Sequence, residues 1–354
     1  MEELEFLPIP LLQWYRDNAR VLPWRPVPGS GVLGEPYRVW VSEIMLQQTR
    51  VAAVLDYYRR FMDELPTVLA LAEVHEDRLM KLWQGLGYYN RARNLQKAAR
   101  QVMERGGVFP DTYEGLLELA GVGEYTAGAI ASIAFGRVVP AVDGNVLRVV
   151  ARITGDDGDI LKQETKRRMG RALLAVMPRQ DPGDFNQALM ELGATVCLPN
   201  GAPLCETCPA GALCRARRED SVAALPVKTP KKPRRVEERT VYLLFRAGRV
   251  ALRRRGEKGL LAGLWEYPNE LDGGPDPLAE WGVTPLSVRQ LGPGKHIFTH
   301  IEWRMQAVGV QAATDTLPQG WVWADEASLR GVYALPSAFR GFEAIVIDHM
   351  RGES

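Results

Sequence analysis

The chain has 354 residues, 46% of them apolar and 25% charged, an ordinary composition for a soluble globular protein with no low-complexity tract. That length holds about two domains with a sizeable core in each. The formal net charge of +1 gives no global electrostatic case for a nucleic-acid partner, and the N-terminal stretch MEELEFLPIPLLQW has neither a basic leader nor a long apolar run, so no signal peptide or membrane span is expected. A reducing cytoplasm or nucleus is expected (nucleoid-associated if bacterial), where clustered cysteines are more often metal ligands than disulfides.

Apolar residues recur at helical spacing over 37–55, 78–83, 95–102, 125–135, 146–153 and 185–196, with Gly/Pro turns at 26–34, 106–110, 136–140 and 181–183. A Pro- and Lys-rich piece, 225–235, is expected to be extended. From Arg215 to Arg235 there are eight cations against two anions, a net +6, which suits a phosphate backbone or a solvated linker. The pattern then changes. Strands are expected at 239–245 and 250–254, joined through Arg246-Ala-Gly-Arg249 as a hairpin, and at 263–267, 296–303 and 305–310, before a closing helix at 338–350. The expected organisation is multidomain: an all-α unit over 1–216, a basic linker over 217–238, and a smaller α+β unit over 239–354.

Three stretches carry chemistry. In Leu119-Ala-Gly-Val-Gly-Glu-Tyr125, Gly121 and Gly123 can take positive φ and bring backbone N–H groups to an oxyanion at a helix start. Taken alone, this is more often a plain tight turn. Two carboxyls stand in contrasting settings, one suited to hold a proton and one to hold a charge. Glu43, among Val39, Trp40, Val41, Ile44, Met45 and Leu46, is expected to favour its protonated form. Asp143, at an N-cap position before Gly144 and Asn145, is expected to be ionised. Alone, each is as readily a surface helix residue or a structural cap. All four cysteines, Cys197, Cys205, Cys208 and Cys214, fall in one C-x7-C-x2-C-x5-C stretch that suits zinc or an iron–sulfur cluster.

The hairpin, Val142-Asp-Gly-Asn145 and the cysteine stretch, with Leu22-Pro-Trp-Arg25, Trp40-Val-Ser-Glu-Ile-Met-Leu-Gln-Gln-Thr49, Gly85-Leu-Gly-Tyr-Tyr89 and Asn186-Gln-Ala-Leu-Met-Glu-Leu-Gly193, resemble the helix–hairpin–helix DNA glycosylases of the endonuclease III superfamily. Within it the chain is most similar to the adenine DNA glycosylases of the MutY type. The resemblance implies an all-α glycosylase core with a [4Fe–4S] cluster held by the four cysteines. Seven residues stand in the first cysteine gap where relatives usually have six. It also implies a monomer acting on duplex DNA with adenine opposite 8-oxoguanine or guanine, and no membrane partner.

The resemblance makes Glu43 the acid, Asp143 the stabiliser of the cationic sugar, and Tyr125 and Asn145 their supports. Gln48, Thr49, Leu86 and Tyr88 become a wedge into the duplex, and Gly121 and Gly123 phosphate contacts. Arg20, Leu22, Trp24, Arg25, Leu46 and Gln187 line an adenine pocket, although the longer 26–36 loop departs from relatives. Lyase relatives carry a lysine at the Tyr125 position, so a monofunctional enzyme is expected. Gly259–Pro268 and His296-Ile-Phe-Thr-His300 resemble the Nudix-like domain of these enzymes, in which Phe298, Thr299 and His300 would read 8-oxoguanine. The acidic Nudix box is absent, so no diphosphate hydrolysis is expected. Two rivals remain: a bifunctional pyrimidine-lesion glycosylase/lyase, and a non-enzymatic iron–sulfur lesion-binding protein.

Overall fold

The structure, a computed structural model, describes residues 1–230 and 233–352; Lys231 and Lys232 of the basic stretch lie outside the described residues. Its helices are Pro8–Asn18 (α1), Pro36–Leu46 (α2), Val51–Glu64 (α3), Val68–Glu73 (α4), Glu76–Trp83 (α5), Asn90–Glu104 (α6), Tyr113–Leu117 (α7), Glu124–Phe135 (α8), Gly144–Thr154 (α9), Gln163–Val176 (α10), Pro182–Thr195 (α11), Arg215–Arg218 (α12), Glu326–Gly331 (α13) and Glu343–Arg351 (α14). Its strands are Arg235–Arg246 (β1), Arg249–Arg254 (β2), Trp265–Glu266 (β3), Asn269–Leu271 (β4), Pro285–Ile297 (β5), Ile301–Ala312 (β6) and Trp321–Ala324 (β7). The chain packs as two compact units, one of residues 1–73 and 93–230, the other of residues 74–92 with the C-terminal residues. α5 and the loop after it pack with the strands. Among the described residues no helix is long and apolar enough to cross a membrane.

In the first unit α9 and α11 form the centre. Val146, Val149, Val150 and Ile153 of α9 repeat at helical spacing and bury against Phe185, Leu189 and Leu192, with Leu4, Leu7 and Leu11 packed alongside. Asp143 caps the start of α9, and Gly155, at φ +65°, ends it in the left-handed region. The turn expected at 181–183 is instead the first turn of α11, where Pro182 costs no hydrogen bond. Small residues let α8 sit close to its neighbours: a Cβ on Gly128 would come within 2.5 Å of the Pro140 carbonyl oxygen. The helix expected over 37–55 is two helices. α2 ends at Leu46, Gln48 turns the chain with φ +58°, and α3 starts at Val51.

The second unit is built on a seven-stranded mixed sheet of order β3-β2-β1-β6-β5, with β4 also paired to β1 and β7 to β2. The expected hairpin is present. Phe245 faces Val250 and Arg246 faces Arg249, and the two-residue turn has positive φ at both Ala247 (46°) and Gly248 (68°), as the twist of such hairpins requires. β1 starts at Arg235, four residues before the expected strand, and runs parallel to β6 from Arg235↔Ile301 to Phe245↔Gln311. The strand expected over 296–303 is two strands. β5 ends at Ile297, Phe298–His300 form a turn closed by the Phe298 amide donating to the Ile301 carbonyl (2.8 Å), and β6 begins at Ile301.

Alternation splits the sheet's apolar residues between two faces. Val241, Leu243, Phe245, Trp303 and Met305 pack against Phe339, Phe342, Val346 and Ile347. Leu244, Ala251 and Val310 pack against Leu278 and Val283. β5 lies at one end of the strand order, and its pairing with β6 is interrupted by irregularities at Pro285/Ser287 and Gln290/Gly292. The helix expected over 338–350 is a 3-10 segment, Ser337–Phe342, followed by α14.

Candidate active site

Glu43 lies on α2, a helix buried on nearly every side, and is itself buried. The Tyr125 hydroxyl, from the first turn of α8, donates to Glu43 Oε2 at 2.6 Å and lies 3.5 Å from the Met190 sulfur. Burial pushes the Glu43 carboxyl up to about 7; the Tyr125 hydrogen bond and Arg25 pull it down and the charge of Asp143 pushes it further up. Asp143 accepts from the backbone amides of Asn145 (2.9 Å) and Val146 (2.8 Å) and from the Asn145 side-chain amide (3.0 Å).

Sequence reasoning placed these two carboxyls in opposite environments, and this needs correction. Burial also raises Asp143, against the pull of its cap hydrogen bonds and of Arg148. Their separation comes from hydrogen bonding instead. Asp143 receives three donors and is the better site for a negative charge, whereas Glu43 receives one. Arg148 extends the network, donating to Asn145 Oδ1 (3.0 Å) and to the carbonyls of Gly193 (2.7 Å) and Cys197 (2.9 Å).

These groups open onto one cleft of about 1080 Å³, lined by Glu43, Tyr125, Asp143 and Asn145 and by all six expected pocket residues, Arg20, Leu22, Trp24, Arg25, Leu46 and Gln187. Leu22 and Trp24 are buried, and Trp24 meets Tyr58 edge-on at 4.9 Å. The amide oxygen of Gln187 already accepts from Arg25 Nε (3.1 Å), so what it offers a base is its NH2 group. Glu191 was missed by the sequence reading. It is 1% exposed and pairs with Arg20 (2.5 Å) and Arg25 (3.0 Å); burial works to raise its carboxyl, yet the two guanidinium groups hold it below its ordinary value. The signal was present: Glu191 stands four residues after Gln187 in a helical apolar run, and so on the same face.

The glycine hairpin also lines this cleft. Gly121 takes φ +74°, and a Cβ there would meet Asn94 at 2.7 Å. Gly123 is not left-handed as expected. It stands at φ −98° as the N-cap of α8, with open space where a Cβ would be and no side chain capping the helix, which leaves first-turn N–H groups for an anion.

The expected wedge residues belong to different units and behave differently. In the first unit Gln48 is exposed and left-handed, and Thr49 Oγ1 donates to the Gln47 carbonyl (3.3 Å). In the second, Tyr88 is left-handed (φ +49°) and 47% exposed, whereas Leu86 is buried and so is not presented as a wedge. Left-handed backbone at two non-glycine residues is strain of the kind that clusters at functional sites.

In the turn between β5 and β6, Phe298 packs edge-on against Trp303 (4.9 Å) and His296 (4.5 Å), while Thr299 and His300 are exposed. Trp303, unnoticed in the sequence, is fixed by Arg239 over its ring (4.5 Å) and by its Nε1 donating to Glu237 (2.9 Å).

The four cysteines line one small apolar cavity. Among the described residues no group of three or more His, Cys, Asp or Glu is gathered closely enough to hold a single metal ion. The extra residue of the first gap is taken up in a loop closed by the Leu204 amide on the Val196 carbonyl (3.0 Å), with Gly201 at φ +75°. Arg152 donates to Cys197 Sγ at 3.3 Å. Arg215, Arg217 and Arg218, expected to face phosphate, are instead engaged locally with Glu219, Glu206 and Glu3.

A buried acid and a hydrogen-bonded carboxylate lining one cleft with a glycine hairpin are the groups that cleavage of a glycosidic bond in DNA requires. The model of the HhH-GPD superfamily base excision DNA repair proteins matches residues 41–173, and that of the NUDIX domain matches 240–342. The structure is similar to that of a thermostable thymine-DNA glycosylase (TM-score 0.54, 26% identity, 62% of this chain and 98% of that one). An endonuclease III–DNA covalent intermediate shares the fold (TM-score 0.51, 23% identity, 62% of this chain and 97% of that one). The chain is 37% identical to the adenine DNA glycosylase of Mus musculus, over 97% of its own length and 78% of that protein's. It is 38% identical to that of Homo sapiens, over 88% and 69%. The chain belongs to the adenine DNA glycosylase family.

Proposed function

We propose that the chain removes adenine from duplex DNA by hydrolysing its N-glycosidic bond, taking adenine opposite 8-oxoguanine or guanine and leaving an abasic site. The observation that carries this is the pairing in one cleft of Glu43, pushed up to about 7, with Asp143, which accepts three hydrogen bonds. Half-protonated near neutrality, Glu43 delivers a proton to the departing base and then takes one from the attacking water. Asp143 holds its charge toward the sugar as positive character develops there. Tyr125 fixes the Glu43 carboxyl, and Asn145 fixes that of Asp143.

The flipped adenine lies against Leu22 and Trp24, with Gln187 and the Arg20–Glu191–Arg25 group offering polar partners. Tyr88 and Gln48 enter the duplex, and α8 with its hairpin holds a backbone phosphate. Phe298, Thr299 and His300 read the opposite base. Diphosphate hydrolysis is not part of the activity. Glu266, a buried carboxylate of the Nudix-like unit, is held by Arg253 (2.9 Å) and Arg255 (2.5 Å). The four cysteines would hold a [4Fe–4S] cluster, whose contribution is to fix the 197–214 loop.

The bifunctional alternative requires an amine, and Tyr125 occupies that place on the hairpin. Single-turnover adenine release from A·8-oxoguanine, A·G and A·T duplexes tests the reading, with borohydride added to trap any Schiff base. Release from A·8-oxoguanine without a trapped adduct is expected. A trapped adduct, or no release, would overturn it.

A further inference from the structure

By its place in the chain α5 should belong with the helical body, yet it packs with the strands. The partly buried Lys81 donates from Nζ to the carbonyls of Leu329 (3.1 Å) and Tyr333 (3.0 Å), at the C-terminal end of α13, where carbonyls lack helical partners and the dipole favours a cation. One turn earlier on α5, Asp77 meets Arg254 of β2 at 3.3 Å. Between these contacts the Trp265 ring stands edge-on to Tyr333 (4.9 Å), with Arg254 above it (5.9 Å), making one continuous seam. Burial lowers the Lys81 ammonium to about 8, with Glu343 opposing the shift and Arg78 adding to it.

The loop after α5 is fastened to it in turn. Trp83 Nε1 donates to the Gly87 carbonyl (3.1 Å), and Arg91 lies 5.5 Å from both the Trp83 and the Tyr88 ring centres. At the far end the Tyr88 hydroxyl is 2.9 Å from Thr299 Oγ1.

We propose that Lys81 is a positioning residue for mispair discrimination: it clasps α5, and with it the loop ending in Tyr88, to the body that carries the Phe298–His300 turn, so that wedge and reader engage a duplex as one piece. This rests on the assignments of Tyr88 as wedge and of the turn as reader. It adds that discrimination depends on a contact remote from both, through a lysine that touches no DNA.

The test uses the full chain and single-turnover release opposite 8-oxoguanine and opposite guanine. Lys81→Met is expected to lower the preference for 8-oxoguanine on the order of tenfold, the scale of a lost charge-assisted hydrogen bond, and Lys81→Arg to restore most of it. In a Phe298→Ala/His300→Ala background, Lys81→Met should lower the preference no further, whereas a merely structural lysine would add its loss there too. Unchanged preference, equal loss against both duplexes, or an additive loss in that background would overturn the clasp. Should Lys81→Met not fold, Asp77→Asn is read in its place; it is expected to shift preference in the same direction, and unchanged preference overturns the proposal. If the reader variant itself leaves preference unaltered, the reader assignment has failed and takes the clasp with it.

Discussion

Replacing Glu43 by glutamine separates chemistry from fold. The Glu43 carboxyl titrates near 7 in the folded chain against 4.5 for a free one, chiefly because burial removes its water. A folded carboxyl with a raised pKa binds more protons than its unfolded counterpart between about pH 4.5 and 7. Stability therefore falls as pH rises through that window, and above it the folded chain bears the full cost of about 3 kcal/mol. Glutamine has the same shape, accepts the Tyr125 hydroxyl and never ionises. Glu43→Gln is thus expected to be more stable than wild type at pH 8 by up to about 3 kcal/mol, with the advantage vanishing near pH 4.5. Adenine release should fall about 10²–10⁴-fold, the usual contribution of a positioned proton donor. Urea unfolding of both proteins at pH 5 and pH 8 gives the first quantity as a difference, since a chain of two units does not unfold in one step; single-turnover release gives the second. A variant that excises at the wild-type rate, or whose stability advantage over wild type does not grow from pH 5 to pH 8, would refute the assignment of Glu43 as a buried acid.

Asp143→Asn keeps an equally good helix cap, so its melting temperature should stay near wild type while excision is lost and duplex binding persists; a large drop in melting temperature would make Asp143 a structural cap first. Tyr125→Phe removes a hydrogen bond that lowers Glu43, so the alkaline limb of the pH–rate profile should move to higher pH, and a shift to lower pH would contradict the geometry. Phe298→Ala with His300→Ala should reduce the preference for adenine opposite 8-oxoguanine while residual excision continues, which a comparison of the two duplexes reads directly. The purified protein should be brown with broad visible absorbance that Cys205→Ser weakens; a colourless protein with stoichiometric zinc would replace the cluster.

Local chemistry was legible in the sequence where a residue type has one physical use. Ala247-Gly248 between alternating strands specified its turn, and Asp143 before an apolar helical run specified its cap. The site was legible because Glu43 is an acid in an apolar stretch, and the cleft joins it to Asp143 from a distant part of the chain. What escaped depends on tertiary packing. The break at Gln47–Arg50 lies inside an unbroken apolar periodicity and is made by one left-handed residue. β5 alternates too weakly to read, since most of its residues are exposed. The upward push of burial on Asp143 was missed because a cap can be inferred from neighbours in sequence, whereas burial cannot. Leu86 looks as suited to insertion as Tyr88, and only the fold hides one and shows the other.

β5 runs thirteen residues to the turn at Phe298, and an open strand of that length is a template on which a second chain could polymerise. Pro285 and Pro293 withhold amide donors, Arg289 and Lys295 repel an incoming strand, and the two irregularities in its pairing spoil any long register. The flank of this arm is thereby kept from aggregation while its tip stays open to solvent.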